Sequence, residues 1–404
     1  MRRLSSLLLV LAVAACAEAP VRTPAPWPPA GGAAPAGPDR ADLRPASFAE
    51  LPGWRDDAPG AALPALLRSC ERLTRLPGEK SVGADGAGGT VADWHPPCSA
   101  ARRLNAADHD GVRGFFETWF TPFLVTNNGR ADGLFTGYFE PELDGSRTRT
   151  ARYGVPLLGK PRDLVVRNDG QGGEPQVGRM IGGRFEPYPT RAEIEAGALG
   201  PVAVPVAWVA DPVDAHILHI QGSGRIRLED GSVLRLAVAG TNGHKFVGIG
   251  KILRDKGLVE DTSMPGVRAW LKANPEQARV LMAQNPRYVF YRPIGGDGPV
   301  GSEGVALTAE RSLAVDTRFV PLGVPVFLDT VEPSGRPLRR LMVAQDTGTA
   351  IKGVVRGDFF WGAGEAAFEK AGRMKSPGRY WMLLPRSRSP RLAALDSGPG
   401  ADLW

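Results

Sequence analysis

Three aspartates near the C-terminus have the side chain that acid–base chemistry needs. Asp316 lies in LAVDTRFVPLG, Asp346 in VAQDTGTAIKG and Asp358 in VVRGDFFWG. Because two phenylalanines and a tryptophan follow Asp358 directly, its carboxyl group could be held against apolar surface. Such burial raises the pKa of an aspartate above about 3.9 and keeps it protonated for general acid catalysis. The alternative is a turn aspartate whose aromatic neighbours face the core, and spacing alone does not decide between the two.

Other catalytic arrangements have weaker support. The D-T-G triplet at Asp346 is typical of aspartic proteases. A protease of this length should carry two such triplets, and this chain carries one. The segment QGSGR at 221–225 lacks the first glycine of a nucleophile elbow, and no helix-forming run follows it. His216 and His219 are expected on opposite faces of a strand, and no CxxC or HExxH motif occurs, so no metal site is predicted. No glycine pattern fits a dinucleotide fingerprint.

The N-terminus has the pattern of an export signal. A basic start precedes an apolar run over residues 7–13, which is shorter than an ordinary transmembrane span, so residues 1–15 are interpreted as a signal peptide. The segment VAAC ends at Cys16 and is similar to a bacterial lipobox, which predicts a lipid-bearing cysteine at the start of the mature chain. The alternative is plain signal cleavage and a soluble periplasmic protein.

Cys70 and Cys98 are the two remaining cysteines. An exported chain meets an oxidising compartment, so the sequence predicts a disulfide bond between them, with two free thiols as the alternative. Closing this glycine-rich loop is expected to add roughly 3–4 kcal/mol to the free energy of unfolding.

The composition is that of a globular protein with many turns. Of 404 residues, 43% are hydrophobic, 51 are glycine and 37 are proline, which favours β structure with many loops. The net charge of +6 weakly favours an acidic polymer as partner. No run of five or more Lys or Arg residues occurs, so nucleic acid is not expected as a partner.

The chain divides into segments of different character. Residues 16–45 are rich in Pro and Ala and are interpreted as a disordered tether. A helical pattern covers 59–130, where Pro122 is expected to end or kink the last helix. Strand patterns follow, including a hairpin at 226–236, and a helical segment at about 267–284 interrupts them. The last residues, 387–404, are interpreted as a loose tail.

Seven segments resemble the membrane-bound lytic murein transglycosylase A family and occur in the family's order. Together they cover roughly residues 100–385. The segments are FTGYFEPEL, RAEIEAGAL, HIQGSGRI, GTNGHKFVGIGKIL, NPRYVFYR, AVDTRFVPLG and AQDTGTAIKG with GDFFWG.

The resemblance implies a mainly β fold with N-terminal helices. A discontinuous catalytic domain, 46–140 and 288–386, would combine helices with a double-psi β-barrel. A second, β-rich substrate-binding domain, 141–287, would be inserted into it, with a groove between the two domains.

The resemblance also implies roles for particular residues. Asp358 corresponds to the family's catalytic acid and base, with Asp346 in support. The chain departs from the family pattern at Thr349, where a second glycine is common, and at Gly357, where the residue before the acid is often Phe. The residues that the resemblance places along the sugar groove are Thr136, Gly137, Tyr138, Gln221, Gly222, Ser223 and Gly224. Asp316 matches the first of the family's three aspartates and is also expected to bind substrate, as are Lys352 and Trp361, whose aromatic face suits a sugar ring.

The implied activity is lytic cleavage of the β-1,4 bond between N-acetylmuramic acid and N-acetylglucosamine, which leaves 1,6-anhydro ends and needs no cofactor. An exo-acting monomer on the periplasmic face of the outer membrane of a Gram-negative bacterium is expected, although the residues do not separate exo from endo action. Peptidoglycan strands are the expected partner, with complexes of cell-wall enzymes as a further one. The alternatives are a non-catalytic, expansin-like glycan-binding module and a hydrolytic glycosidase.

Overall fold

The computed structural model describes residues 37–168, 175–296 and 298–388. The signal peptide, Cys16 and most of the tether and tail lie outside the described residues. None of the helices in these three ranges has both the length and the hydropathy to span a membrane.

The helices and strands of the described ranges are as follows. The α-helices are α1 Leu63–Leu73, α2 Val91–Ala101, α3 His109–Trp119, α4 Arg191–Glu195, α5 Pro212–Gln221, α6 Ile249–Asp255, α7 Met264–Ala273, α8 Pro275–Met282 and α9 Glu365–Arg373. The strands are β1 Ala41–Pro45, β2 Phe120–Asn127, β3 Gly133–Glu140, β4 Glu142–Ser146, β5 Val155–Leu158, β6 Val165–Arg167, β7 Gln176–Ile181, β8 Arg184–Pro187, β9 Pro205–Val209, β10 Gly224–Leu228, β11 Val233–Thr241, β12 Val289–Ile294, β13 Ser312–Val315, β14 Pro325–Val331, β15 Pro337–Asp346, β16 Arg356–Ala363 and β17 Lys375–Pro385.

The largest sheet closes on itself. Its strand order is β1-β2-β17-β14-β15-β13-β16-β3, and β17 also pairs with β3. This extra pairing joins the strands from β17 to β3 into a barrel, which leaves them without free edges. Helices α1–α3 pack on the barrel, and their buried side chains share one apolar core with it.

A second β region lies along the chain between β3 and β13. One sheet has the order β12-β11-β10-β4-β9-β5, and a smaller one has the order β6-β7-β8. The first of these sheets has an apolar core of its own. The fold prediction of a mainly β protein with N-terminal helices, a barrel-like sheet and a second β domain is confirmed, whereas the exact domain limits stay a prediction.

The predicted hairpin is present, since β10 and β11 pair antiparallel around the Asp-Gly turn. The predicted helical segment at 267–284 forms two helices, α7 and α8, because Pro275 begins the second.

Two assignments of secondary structure were wrong. Helix α3 ends at Trp119, and Pro122 lies in β2, paired with β17, because the aromatic and β-branched residues after 119 pack better in a sheet than in a helix that Pro122 would break. The segment read as a strand around His216 and His219 is α5. Its N-terminus is capped by the Asp211 side chain, which accepts a hydrogen bond of 2.7 Å from the N–H of Val213.

The prediction of a disordered tether over residues 16–45 was also wrong at its C-terminal end. Residues 41–45 form β1, which pairs antiparallel with β2. The surrounding Pro- and Ala-rich sequence masked this short strand, whose stability comes from its neighbour rather than from its own composition.

Cys70 on α1 and Cys98 on α2 form a disulfide bond with an S–S distance of 1.96 Å. Both side chains are buried in the core that the helices share with the barrel. The bond joins residues 28 positions apart and therefore restricts the unfolded chain.

Removing this bond is expected to lower the free energy of unfolding by about 3–4 kcal/mol. Urea denaturation of the Cys70→Ala/Cys98→Ala variant, compared with the oxidised wild type, measures the loss. Reduced wild-type protein serves as the control and should show a similar loss. A difference below about 1 kcal/mol for both would contradict the expectation.

Candidate active site

A cavity of about 460 Å³ brings residues of the barrel and of the second β region together. The barrel contributes side chains from β3 and β16 and from the segment after β15. The other wall comes from the C-terminal end of α5 and from residues just before β12. A second cavity, of about 760 Å³, lies against α5, α7 and α8 and contains none of the predicted site residues.

Strand alternation decides which side chains of β16 reach the first cavity. Arg356, Asp358 and Phe360 line it. The alternate residues point to the opposite face, so Phe359 and Trp361 pack in the barrel core. The parallel neighbour β3 presents its side chains in register, with Thr136 opposite Asp358.

The carboxyl group of Asp358 is held by a short chain of polar groups. The Thr136 hydroxyl donates to it over 2.5 Å, and Arg356 donates to the Thr136 oxygen over 2.8 Å. Burial raises the pKa of Asp358 to about 6, although the Thr136 hydrogen bond and the Arg356 charge act against the rise, and the charge of Asp346 adds to it. A carboxyl group with this pKa can be protonated near neutral pH and give up its proton.

Asp346 lies at the end of β15 and also lines the cavity. One of its oxygens, Oδ1, accepts hydrogen bonds from the backbone N–H and the hydroxyl of Ser302, at 2.8 and 2.9 Å, and from the N–H of Thr347, at 2.9 Å. These bonds fix the carboxylate beside Asp358, where its negative charge acts on the acid.

Helix α1 supports Asp346 from behind. The buried amide of Gln345 donates to the Ala65 carbonyl over 3.0 Å and to the Ser69 hydroxyl over 2.9 Å, and it accepts from Ser312 over 2.6 Å. Ser69 is followed directly by Cys70, which forms the disulfide bond with α2. The two helices that this bond joins are therefore also connected to β15, the strand that carries Asp346.

Tyr138 contributes a buried hydroxyl to the same cavity. That hydroxyl forms no close hydrogen bond within the described residues, although the Asp346 carboxylate lies near enough to act on it. Burial, followed by the charges of Asp346 and Asp358, holds the pKa of Tyr138 well above its usual value. The phenol therefore stays protonated and is available to donate to an oxygen of a ligand. The ring of Phe360 packs against it, with ring centroids 5.1 Å apart.

The structure brings most of the other predicted binding residues to this cavity. Gln221, Gly222 and Ser223 line it at the end of α5, and Gly222 ends that helix with a φ of 83°. Gly137 also lines it, and a Cβ there would lie 2.7 Å from Nε1 of Trp361, so a larger residue would displace the indole.

Four predicted binding residues do not line the cavity. Gly224 lies in β10, and Lys352 is exposed to solvent. Trp361 is only 4% exposed and packs against Phe359, so it presents no ring face to a sugar. Asp316 is buried and accepts hydrogen bonds from Arg318 and from the N–H of Gly353.

Asp316 therefore contacts the backbone at Gly353, between β15 and β16, and does not reach the cavity. Burial acts to raise the pKa of Asp316, but the hydrogen bonds from Arg318 and from the backbone N–H of Gly353 outweigh it and lower the pKa to about 2. A carboxylate with so low a pKa stays charged at neutral pH and cannot serve as a general acid.

Sequence reasoning missed Arg356 and Arg287. Arg356 could have been found, because it precedes Asp358 by two residues in a strand and therefore shares its face. Arg287 lies 71 positions before Asp358 and reaches the cavity from the other β region, and its place in the NPRYVFYR segment is the signal that could have pointed to it. Across the described ranges, no group of three or more His, Cys, Asp or Glu side chains could hold a metal ion.

Family models match both β regions. The model described as the MltA specific insert domain matches residues 134–292, and the 3D domain model matches residues 311–384. A curated relative, membrane-bound lytic murein transglycosylase A of Escherichia coli K12, is 36% identical over 259 residues, which are 62% of this chain and 65% of the relative. The match thus spans just under two thirds of that relative's length.

Solved structures resemble most of the chain. The crystal structure of MltA from Neisseria gonorrhoeae has a TM-score of 0.75 and 35% identity, and the match covers 88% of this chain and 97% of that one. Escherichia coli MltA with bound chitohexaose has a TM-score of 0.62 and 25% identity, with coverage of 85% and 94%. These matches confirm the resemblance that the seven segments indicated.

Proposed function

Because the chain belongs to the membrane-bound lytic murein transglycosylase A family, we propose that it cleaves the β-1,4 bond between N-acetylmuramic acid and N-acetylglucosamine in peptidoglycan and leaves 1,6-anhydro ends. The observation that carries this proposal is Asp358, a carboxyl group in the wall of the cavity between the two β regions with its pKa raised to about 6. A relative solved with bound chitohexaose supports an oligosaccharide ligand for the cavity.

A lytic reaction fits a site with one acid. Ordinary glycosidases use two carboxyl groups, about 5–5.5 Å apart in retaining enzymes and about 6.5–9.5 Å apart in inverting ones. In a lytic reaction the nucleophile is the C6 hydroxyl of the same sugar, so no carboxylate nucleophile or bound water is required. Such intramolecular attack can reach effective molarities of about 10⁵–10⁸ M.

The proton of Asp358 moves twice in the proposed reaction. Asp358 first protonates the leaving glycosidic oxygen as its bond to C1 breaks. The C6 oxygen then bonds to C1, and the Asp358 carboxylate takes the proton of that hydroxyl, which restores the acid. The negative charge of Asp346 stabilises the positive charge that develops on the sugar ring, and the Tyr138 hydroxyl orients the ligand. Thr136 keeps the acid in place throughout.

The products distinguish this reaction from its alternatives. Digestion of purified sacculi is expected to release muropeptides with anhydro ends, lighter than hydrolysed ends by one water, because no water enters the reaction. Mass spectrometry measures the difference. Reducing ends would identify a hydrolase, and the absence of any soluble product would favour a non-catalytic glycan-binding module.

We also propose a periplasmic, membrane-associated location in a Gram-negative bacterium. The relatives are named membrane-bound, and a disulfide bond suits an exported protein. The finer proposal is a lipid on Cys16 that anchors a monomer to the outer membrane, where it could join cell-wall enzyme complexes. Metabolic labelling with a radioactive fatty acid, compared between the wild type and Cys16→Ser, tests the anchor. Label in both proteins, or in neither, would contradict it.

A further inference from the structure

One cation in the catalytic cavity has no side-chain partner among the described residues. The charged residues that line the cavity are Arg287, Asp346, Arg356 and Asp358. Arg356 donates to Thr136, Asp358 accepts from Thr136, and Asp346 accepts from Ser302. The half-buried side chain of Arg287, by contrast, forms no hydrogen bond or ion pair with any described residue.

The backbone under Arg287 is nevertheless firmly held. The buried guanidinium of Arg191 donates two hydrogen bonds, of 3.1 and 2.9 Å, to the Arg287 carbonyl. The buried side chain of Asn285 accepts from the N–H of Arg287 over 3.3 Å and from the N–H of Val247 over 3.1 Å. An unpaired guanidinium on a rigid backbone can bind a ligand with little loss of conformational entropy.

The mouth of the same cavity is apolar. Val238, Phe246 and Val300 line it, and each is exposed by more than two fifths of its surface. Such a surface suits methyl and methylene groups near the anionic group that the guanidinium would bind. Arginine pairs with a carboxylate through two parallel hydrogen bonds, so a carboxylate on a short, partly apolar arm is the chemistry that this wall fits best.

We propose that Arg287 is a specificity-determining residue that binds a carboxylate carried by the muramic acid residues of the substrate. The proposal rests on the proposed function. The carboxylate has two possible sources, which are the lactyl group of a strand without peptides and an acidic residue of the stem peptide. A neutral oligosaccharide such as chitohexaose carries no anionic group and gains nothing from this cation.

Binding in a cleavage-deficient background tests the proposal. Asp358→Asn is compared with Asp358→Asn/Arg287→Gln by calorimetric titration with chitohexaose, with peptide-free glycan strands and with strands that carry stem peptides. The Arg287 substitution is expected to weaken binding of a carboxylate-bearing strand at least tenfold, or about 1.4 kcal/mol, and to change chitohexaose binding by less than about threefold. A loss with peptide-free strands assigns the lactyl carboxylate, and a loss confined to stem-bearing strands assigns the peptide.

Two controls make the outcome specific. Arg292→Gln removes the same charge from an exposed position of β12 outside the cavity and should leave all three affinities unchanged. In the otherwise wild-type enzyme, Arg287→Gln should lower kcat/KM for the same class of carboxylate-bearing strand whose binding it weakens, and it should spare strands whose carboxylates have been amidated. Equal losses for neutral and anionic ligands, or no loss at all, would overturn the role of Arg287. A different result would contradict the proposed function itself, namely that the wild-type enzyme releases no anhydro ends.

Discussion

Asp358→Asn is expected to lower the rate of glycan cleavage by at least about 10²–10⁴-fold while the protein stays folded. Asparagine has nearly the same shape as aspartate, so β16 can keep its pairing with β3 and β13. It cannot, however, transfer a proton to the leaving oxygen or take one from the C6 hydroxyl. Release of anhydro muropeptides from sacculi measures the rate.

The same variant has a second signature, in stability. The pKa of Asp358 rises from 3.8 to about 6 on folding, so the folded protein binds this proton more tightly than the unfolded chain does. The resulting stabilisation is complete below about pH 4 and is lost as the pH rises through about 6. Since asparagine stays neutral, Asp358→Asn should be more stable than the wild type above pH 6, by up to about 3 kcal/mol, and similar to it at pH 4.

Thermal unfolding of both proteins between pH 4 and pH 8 checks this expectation. The Asp316→Asn variant is the matched control, because its carboxyl group has a pKa lowered to about 2 and should show the opposite trend, with a loss of stability at neutral pH. Wild-type digestion by Asp358→Asn would disprove the mechanism. Lower stability at every pH would instead show that the substitution damages the fold.

The sequence could indicate the acid but not all of its surroundings. The aromatic residues after Asp358 left a desolvated carboxyl group and a turn aspartate equally open, whereas the structure places Asp358 in β16 with its side chain in the cavity wall. The same run misled the choice of sugar-binding ring, because Trp361 faces the core and Phe360 faces the cavity. Alternation counted from Asp358 would have corrected this choice, since a residue three positions along a strand lies on the opposite face.

Contacts between distant segments could not be predicted. Ser302 holds Asp346 from 44 positions away, and Ser69 supports Gln345 from 276 positions away. Neither contact leaves a periodic signal, because each depends on how distant segments pack around the end of β15. Helix α5 was missed for a related reason. Its apolar run resembles a buried strand, and only the Asp211 cap with the following proline marks a helix start.

Asp346→Asn is expected to lower the cleavage rate by roughly 10²–10³-fold and to move the pH dependence of the remaining activity. The substitution removes the negative charge that is proposed to stabilise the positively charged transition state. The amide oxygen can still accept the hydrogen bonds from Ser302 and Thr347, so the end of β15 should stay in place.

The direction of the pH change separates an electrostatic role from a purely structural one. Catalysis needs protonated Asp358, so the wild-type rate should fall as the pH rises through about 6. The charge of Asp346 contributes to that raised pKa, and its removal should lower the pKa and move the fall to a lower pH. Asp316→Asn should leave unchanged the pH at which the cleavage rate decreases, because Asp316 does not line the cavity. A rate loss for Asp346→Asn without any change in pH dependence would mean that Asp346 only holds the loop.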